Sequence, residues 1–400
     1  MSVTAAAGFT AAGLAAGIKP SGAPDLALVA TADGRPVPAA GVFTTNLVAA
    51  APVQVSRRHL AAAARAAAVV LNSGNANAAT GEDGLLVAER TCALAAAEIG
   101  CHTEDVLVCS TGLIGIPMDV MPFESGVPKL VAARAGTPEA AGAAAQAIMT
   151  TDTVSKEAVV IVPLADGTAI TVGGMAKGAA MLSPAMATML AVLTTDAAVD
   201  ARVLHAALER AVDVSFNQMT TDGSRSTNDT VLVLASGAAG NPVIDFGEHD
   251  AHALGDALVE VCASLADQMA ADAEGATKFV RVHVRGARSR EEARRAARAV
   301  AQSQLVKCSL FGGDPYWGRV LSELGASGAH LEPDRVDIAY NGITVCVGGV
   351  AAAHDTEAVA AAMGEREIEV TCDLRLGLGE ATITTVDLTP AYIDENMRTS

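Results

Sequence analysis

Aromatic residues are scarce in this chain of 400 residues: phenylalanine, tryptophan and tyrosine together make up 3%, with a single tryptophan. Hydrophobic residues nevertheless account for 51% of the sequence. The core must therefore be built from short aliphatic side chains, chiefly those of alanine, valine, leucine and isoleucine. A chain of this length exceeds what one simple core usually serves, so we expect two domains or one large α/β unit.

The sequence also lacks a basic excess. Its 27 lysine and arginine residues face 45 aspartate and glutamate residues, which gives a formal net charge of −18. Nucleic-acid binding depends on uncompensated basic clusters that neutralise phosphates. The arginine-rich segment 285–298 is the nearest candidate, but Glu291 and Glu292 offset its charge and indicate a solvated helix face. Nucleic acid is therefore not expected as a partner.

Metal-binding and membrane motifs are missing too. The seven cysteines are scattered without a CxxC pair, and the eight histidines include no HExxH motif, whereas disulfide frameworks and zinc sites usually show closer, paired spacing. We therefore expect reduced thiols in a cytoplasmic protein that uses no metal and no prosthetic group. No run of 18 apolar residues predicts a membrane span. The first charged side chain, Lys19, follows the Ala/Gly-rich start, so no signal peptide is predicted.

Strand-like and helix-like segments alternate along the chain. Short buried strands are predicted at 25–30, 69–71, 106–109 and 230–235, and helices at 59–68, 82–99, 203–212, 249–269 and 289–304. Strands 159–162 and 169–172 flank an Asp-Gly turn and predict a hairpin. This alternation indicates α/β or α+β layers. A domain boundary near 285–305 is weakly marked.

The most informative segment runs from Gly173 to Leu190. It places Thr188 between a loop of glycine, alanine and proline and an apolar run. A threonine hydroxyl is a weak nucleophile unless a base takes its proton, and the threonine's own α-amino group becomes that base once the preceding bond is cut. Lys177 would favour an unprotonated amine or neutralise a substrate carboxylate. The segment predicts cleavage between Ala187 and Thr188; the alternative is a threonine that opens a buried strand.

Further polar groups follow predicted strands. In Ser110-Thr111-Gly112, the Thr111 hydroxyl and the Gly112 N–H would form an oxyanion hole, or else the three residues form an ordinary turn. Three Thr-Thr-Asp islands, at 150–152, 194–196 and 220–222, suit recognition of a small polar substrate, or else capping. Glu274 would pair with a substrate ammonium, or else it has a structural role in a turn or a helix cap. Lys307, with the segment 313–319, frames a site or a structural Asp-Pro turn.

Taken in order, these motifs resemble the ornithine acetyltransferases of arginine biosynthesis. The likeness runs from Gly17 to the C-terminus, and it rests on Met175–Gly178 and Ala187–Leu190 together with Ser110–Gly112, Met149–Thr153, Asp222, Ser226–Asp229, Glu274–Lys278 and Asp314–Arg319.

The resemblance implies a two-domain α/β fold of the self-cleaving, N-terminal-nucleophile-like kind. Autocleavage would give an α chain (1–187) and a β chain (188–400) that stay associated, usually as two of each. Acetyl would pass from N-acetylornithine to Thr188 and then to glutamate with ping-pong kinetics, and acetyl-CoA is expected as a further donor. The substrates are thus small molecules of arginine synthesis.

The resemblance also implies roles for individual residues. Thr188 would be the nucleophile, and Thr111 with Gly112 the oxyanion hole. The residues implied to hold substrate are Thr150, Lys177, Thr188, Glu274, Asn396 and the terminal Ser400 or Thr399. Two rival functions stay open: a self-cleaving amidase or aminopeptidase, in which water accepts the acyl group, and an uncleaved amino-acid-binding protein.

Overall fold

The computed structural model describes residues 2–181, 189–247 and 249–397. It divides into two compact units. Unit 1 takes in the described residues up to Asn217 and the segment Ser224–Met269, and unit 2 takes in Gln218–Gly223 and the described residues from Ala270 onward. A two-domain α/β protein is therefore confirmed, but the main boundary lies at 269/270 and the expected position near 285–305 is wrong. The division into chains 1–187 and 188–400 is a covalent one and stays a prediction.

Unit 1 contains all the strands predicted above from the alternation. Its strands are β1 (Phe9–Leu14), β2 (Leu26–Thr31), β3 (Val37–Phe43), β4 (Arg65–Ala66), β5 (Ala68–Asn75), β6 (Val106–Leu113), β7 (Lys156–Pro163), β8 (Ala169–Lys177), β9 (Leu190–Thr195) and β10 (Thr230–Ala235). Its helices are α1 (Ala51–Ala63), α2 (Gly81–Ile99), α3 (Met121–Ala133), α4 (Pro138–Ala147), α5 (Ala201–Val214) and α6 (His249–Ala271), which ends just past the boundary.

Two sheets form within the described part of unit 1. One has four strands in the order β1-β2-β5-β6, and the other has six in the order β4-β3-β10-β9-β8-β7. Strands β5 and β6 run parallel, as do β9 and β10, whereas β7, β8 and β9 are successive antiparallel neighbours. The predicted hairpin is the β7–β8 pair. Lys177, at the end of β8, faces Leu190 at the start of β9.

Side chains of the four-stranded sheet alternate between two cores, because successive residues of a strand point to opposite faces. Val69 and Leu71 of β5 belong to one core with Val192 and Leu232 of the six-stranded sheet. Val70, between them, belongs to a second core with buried residues of α1, α2 and α3. The two sheets therefore pack face to face, with helices outside the four-stranded one.

Helix α6 covers the outer face of the six-stranded sheet. A Cβ at Gly174 of β8 would lie 3.0 Å from Val261 Cγ1 and 3.1 Å from Leu265 Cδ1, both on α6. Glycine thus lets the helix approach the strand closely. Unit 1 is a stack of four layers: helices, sheet, sheet and helix.

Unit 2 is built on one mixed sheet. Its strands are β11 (Phe279–Ala287), β12 (Asp337–Tyr340), β13 (Ile343–Val347), β14 (Val350–Ala351), β15 (Glu367–Asp373) and β16 (Gly379–Val386), in the sheet order β14-β13-β12-β15-β11-β16 over the residues described. Its helices are α7 (Arg290–Gln302), α8 (Gln304–Phe311), α9 (Trp317–Ala326), α10 (Thr356–Gly364) and α11 (Pro390–Asn396).

The arginine-rich helix α7 shows how unit 2 is packed. Ala293, Ala297 and Val300 form a buried stripe at helical spacing that joins the core of the β11 valines, whereas Arg290 and Arg295 are exposed. The expectation of a solvated charged face is confirmed. No helix in the described ranges is both long and apolar enough to cross a membrane.

Two predicted helices have different bounds from those expected. The segment predicted at 59–68 is helical only to Ala63, because Ala64 adopts a left-handed conformation that ends α1. The helix begins earlier, at Ala51, where Pro52 occupies its first turn. The segment 289–304 forms two helices, and Ser303 ends α7 and caps α8 by accepting the N–H of Val306.

Candidate active site

Three of the predicted site residues in unit 1, Lys177 among them, lie together around the Lys177 amine. Lys177 is the last residue of β8, and its side chain is buried. Its Nζ donates a hydrogen bond to Thr150 Oγ1 at 2.7 Å and to Thr111 Oγ1 at 3.3 Å. Since Thr111 Oγ1 accepts from the lysine, its own hydroxyl proton can be donated to a third group.

Thr111 and Gly112 lie in a strand and not in a turn. Strand β6 continues to Leu113, and it pairs with β5 so that Ser73 faces Thr111 and Gly74 faces Gly112. Gly112 has φ +134°, and a Cβ there would lie 2.3 Å from the carbonyl carbon of Gly74. The position therefore requires glycine. The alternative of an ordinary turn is wrong, and sheet pairing fixes the direction of the Thr111 side chain.

Asp152 organises the groups around Lys177. Its Oδ1 accepts from Lys156 Nζ and from the N–H of Gly178, both at 2.7 Å, and its Oδ2 accepts the Thr150 N–H at 3.0 Å. Lys177 Nζ lies 3.8 Å from Oδ2. Burial opposes ionisation of Asp152, but Lys177 and Lys156 outweigh it and lower the pKa of the carboxyl to about 2. The site therefore holds a permanent negative charge between two buried lysines.

The strand that follows the predicted cleavage bond begins beside this cluster. Ala187 and Thr188 lie outside the described residues, so the nucleophile and the bond remain predictions. Met189 comes next: its N–H donates to Asp229 Oδ1 at 3.0 Å, and its carbonyl accepts the N–H of Thr230 at 3.1 Å. The start of β9 is therefore held on both sides.

The second Thr-Thr-Asp island does not join the Lys177 cluster. Thr194 and Asp196 lie at the other end of β9, where Asp196 Oδ1 accepts the Thr171 N–H at 2.7 Å and Thr194 Oγ1 donates to the Val3 carbonyl. These contacts satisfy backbone groups, so the capping alternative applies here. The first island, in contrast, supplies Thr150 and Asp152 to the cluster.

Unit 2 brings together two other predicted residues. Asn396 Nδ2 donates to Glu274 Oε2 at 2.7 Å. Tyr392, on the same helix as Asn396, has its hydroxyl 3.4 Å from Asp222 Oδ2, an oxygen of the third island. Burial, followed by the charges of Asp222 and Glu274, raises the pKa of Tyr392 to about 12. Thr399 and Ser400 lie outside the described residues.

Lys307 is a second buried lysine, within unit 2. Its Nζ donates to the carbonyl of Thr221 and lies 3.5 Å from Thr385 Oγ1. Burial lowers the pKa of Lys307 to about 8, although Asp222 and Asp387 oppose the shift. The lysine ties helix α8 to strand β16 and to the segment Gln218–Gly223.

Sequence reasoning missed Lys156, which pairs with Asp152 in a fully buried ion pair. A signal was present, since this lysine stands four residues after Asp152 and opens the apolar strand β7. In the ranges that the structure covers, no three His, Cys, Asp or Glu side chains are arranged to hold a metal ion.

Comparison with known proteins decides the family. The model of the ArgJ family matches residues 10–399. The chain belongs to the ArgJ family. Two relatives, both called arginine biosynthesis bifunctional protein ArgJ, support this. The one from Symbiobacterium thermophilum is 48% identical over 394 residues, which cover 98% of this chain and 97% of the relative. The one from Streptomyces coelicolor is 48% identical over 397 residues and 99% of each chain.

A solved structure is also similar to this ArgJ family member: the ornithine acetyltransferase of Mycobacterium tuberculosis complexed with ornithine. It is 45% identical, and the match covers 46% of this chain and 94% of that one with a TM-score of 0.42. Family membership confirms the resemblance found in the sequence. The chain is thus an acyltransferase of arginine biosynthesis that acts on small molecules, which excludes the rival of a non-enzymatic binding protein.

Proposed function

We propose that this ArgJ family member cuts itself between Ala187 and Thr188. The new N-terminal threonine then carries acetyl from N-acetylornithine to glutamate. The amine and the hydroxyl of one residue would serve as base and nucleophile, so the reaction needs no metal or prosthetic group. Acetyl-CoA is proposed as a second acetyl donor.

The observation that carries the proposal is the convergence on Lys177. Its amine contacts the hydroxyls of Thr111 and Thr150, and the strand pairing sets Lys177 opposite Leu190, two residues after the predicted nucleophile. The cation of Lys177, the proposed oxyanion donor Thr111 and the start of β9 thus lie close together. This supports acyl transfer over a purely structural role for the segment.

In the first half-reaction the Thr188 oxygen attacks the acetyl carbonyl carbon of N-acetylornithine, and the α-amine takes the hydroxyl proton. Negative charge develops on the carbonyl oxygen, which the Thr111 hydroxyl and the Gly112 N–H would stabilise. The carbon–nitrogen bond then breaks, the proton passes to the departing amine, and ornithine leaves. An acetyl ester of Thr188 remains.

In the second half-reaction the amine of glutamate attacks this ester. The Thr188 oxygen leaves and regains a proton, and N-acetylglutamate is released. Both amino acids carry an α-carboxylate, so Lys177 would serve each in turn by charge pairing. In unit 2, the Glu274 carboxylate, oriented by Asn396, has the chemistry to bind a substrate ammonium.

We further propose a cytoplasmic assembly of two α and two β chains. Light scattering would test this stoichiometry.

Cleavage is tested by intact mass and a denaturing gel of three proteins: wild type, Thr188→Ala and Thr188→Ser. We expect two fragments from wild type and from Thr188→Ser, which keeps a hydroxyl, and one uncut chain from Thr188→Ala. An uncut wild type with full activity would contradict the proposal.

Product analysis tests the acceptor. With N-acetylornithine and glutamate we expect N-acetylglutamate, and with N-acetylornithine alone at most one equivalent of ornithine per active site. Steady release of acetate without glutamate would instead indicate the self-cleaving amidase. Replacing N-acetylornithine by acetyl-CoA tests the second donor.

A further inference from the structure

The segment Ser226–Asp229, just before β10, has no role in the proposed reaction, yet it is buried throughout. Asn228 donates both of its amide hydrogens, to the carbonyls of Ala76 at 2.6 Å and Ser110 at 2.8 Å. Thr227 Oγ1 donates to Asn228 Oδ1 at 2.6 Å, which fixes the orientation of the amide. Asn228 therefore holds the residue that directly precedes Thr111.

The next residue holds the other strand. Asp229 is 0% exposed, and its Oδ1 accepts the N–H of Met189, the residue after the predicted nucleophile. Its Oδ2 has no hydrogen-bond partner among the described residues. Burial raises the pKa of Asp229 well above its usual range, although the Met189 N–H, Ser226 and Lys177 oppose this shift.

Two adjacent side chains thus bind the two strands that carry the proposed oxyanion hole and the proposed nucleophile. Asn228 is anchored to β6 one residue before Thr111, and Asp229 is anchored one residue after Thr188. Both anchors are hydrogen bonds to backbone groups, so they act on strand position and not on the reacting atoms. Misplacing a reacting group by about 1 Å can cost on the order of 100-fold in rate.

We propose that Asn228 and Asp229 are positioning residues, which set the oxyanion-hole strand and the nucleophile strand at the spacing that cleavage and acetyl transfer require. This inference rests on the proposed function, because it assigns the two residues to the same reaction centre. The hydrogen-bond acceptor at Asp229 Oδ1 is the feature that matters for β9.

Strand β9 offers a matched control at its other end. Asp196 is also buried, and it also accepts backbone N–H groups, from Thr171 at 2.7 Å and Ala7 at 3.3 Å. Loss of this carboxyl removes comparable hydrogen bonds from unit 1 without touching residue 189. It therefore separates a general loss of stability from a loss of positioning.

The experiment follows fragment formation after expression in four variants: Asp229→Ala, Asp229→Asn, Asn228→Asp and Asp196→Ala. It then measures kcat and KM for N-acetylornithine once cleavage is complete, with a thermal melt of each protein. We expect Asp229→Ala and Asn228→Asp to slow cleavage and lower kcat by about 10- to 100-fold, with KM changed less than about twofold. Asp229→Asn, whose amide oxygen can still accept from Met189, should recover to within about threefold of wild type. Asp196→Ala should lower the melting temperature and leave cleavage and kcat unchanged.

Three results would overturn the inference: normal cleavage in Asp229→Ala or Asn228→Asp, equal slowing in Asp229→Ala and Asp229→Asn, or slowing in Asp196→Ala as well. If Asp229→Ala does not fold, the cleavage rates and kcat values of Asn228→Asp and Asp229→Asn still test the inference. A wild type that is never cut would contradict the proposed function itself, and this outcome is read from the wild-type lane alone.

Discussion

Lys177 of unit 1 and Lys307 of unit 2 are both buried, but their amines meet different partners. Lys177 contacts two threonine hydroxyls and lies 3.8 Å from a carboxylate that a second lysine also binds. Lys307 contacts a backbone carbonyl and one hydroxyl, and within the described part of the chain it forms no ion pair. The two environments have opposite electrostatic consequences.

A carboxylate between two lysines keeps charge fixed in the interior, because each charge compensates the burial of the other. The pKa of Asp152 is accordingly lowered to about 2. A backbone carbonyl compensates the burial of a lysine charge less than a carboxylate does, and the pKa of Lys307 falls to about 8. Unit 1 thus holds a fixed negative charge beside Lys177, whereas Lys307 links elements of unit 2.

The largest expected difference concerns the threonine beside each lysine. Thr111→Val removes a proposed oxyanion donor and should lower kcat by ~10²–10³. Thr385→Val removes a hydroxyl that donates to the Ala301 carbonyl at 2.9 Å, so it should cost about 1 kcal/mol of stability and change kcat by less than about threefold. Steady-state kinetics on both variants measure this, and equal losses of kcat would break the comparison.

A smaller difference is expected in stability when each lysine is replaced. Lys177→Met removes one of two cations from a buried carboxylate, and we expect a loss of up to about 3 kcal/mol, since Lys156 still pairs with Asp152. Lys307→Met also removes a desolvated cation, so its cost should be about 1 kcal/mol or less. Urea unfolding followed by circular dichroism compares the two. A larger loss for Lys307→Met would contradict the electrostatic account.

The smallest expected effect is the pH dependence of stability that Lys307 contributes. Its folded pKa of about 8 lies below the ordinary lysine pKa of about 10.4, so between these values the unfolded chain binds more protons. Stability therefore rises with pH in that window, and the contribution of Lys307 becomes constant only about one pH unit below its folded pKa. From pH 7.5 to 10, the melting temperature of wild type should rise relative to that of Lys307→Met. A difference in melting temperature that stays constant over this range would contradict a folded pKa of about 8 for Lys307.

Much of the fold was predictable from local sequence. Strands β2, β5 and β10 each contain an apolar run, at 26–30, 68–71 and 231–235, and such a run predicts a buried strand without knowledge of its neighbours. Helix α3 was missed because Gly126 and Pro128 interrupt its pattern, yet both lie within Met121–Ala133. Tertiary packing through Phe123, Val127 and Leu130 outweighs these weak helix formers.

Site residues were predictable where a short motif indicated their chemistry. Contacts that depend on strand pairing were not predictable. Thr111, Thr150 and Lys177 were expected to act together, and they do lie together. Their grouping depends on strand β6 continuing past Cys109 in its pairing with β5, a long-range contact without a local signature. Lys156, four residues after Asp152, did leave a signal in the sequence. The roles of all these residues stay predictions, and Thr188, Thr399 and Ser400 also lie outside the described residues.

The most direct test of the central claim is the intact mass of freshly purified protein after incubation with N-acetylornithine in the absence of glutamate. The account predicts two polypeptides, 1–187 and 188–400, with one acetyl group on the second, located at Thr188 and lost when glutamate is added. A single uncut chain that still forms N-acetylglutamate, or an acetyl group on any other residue, would contradict it.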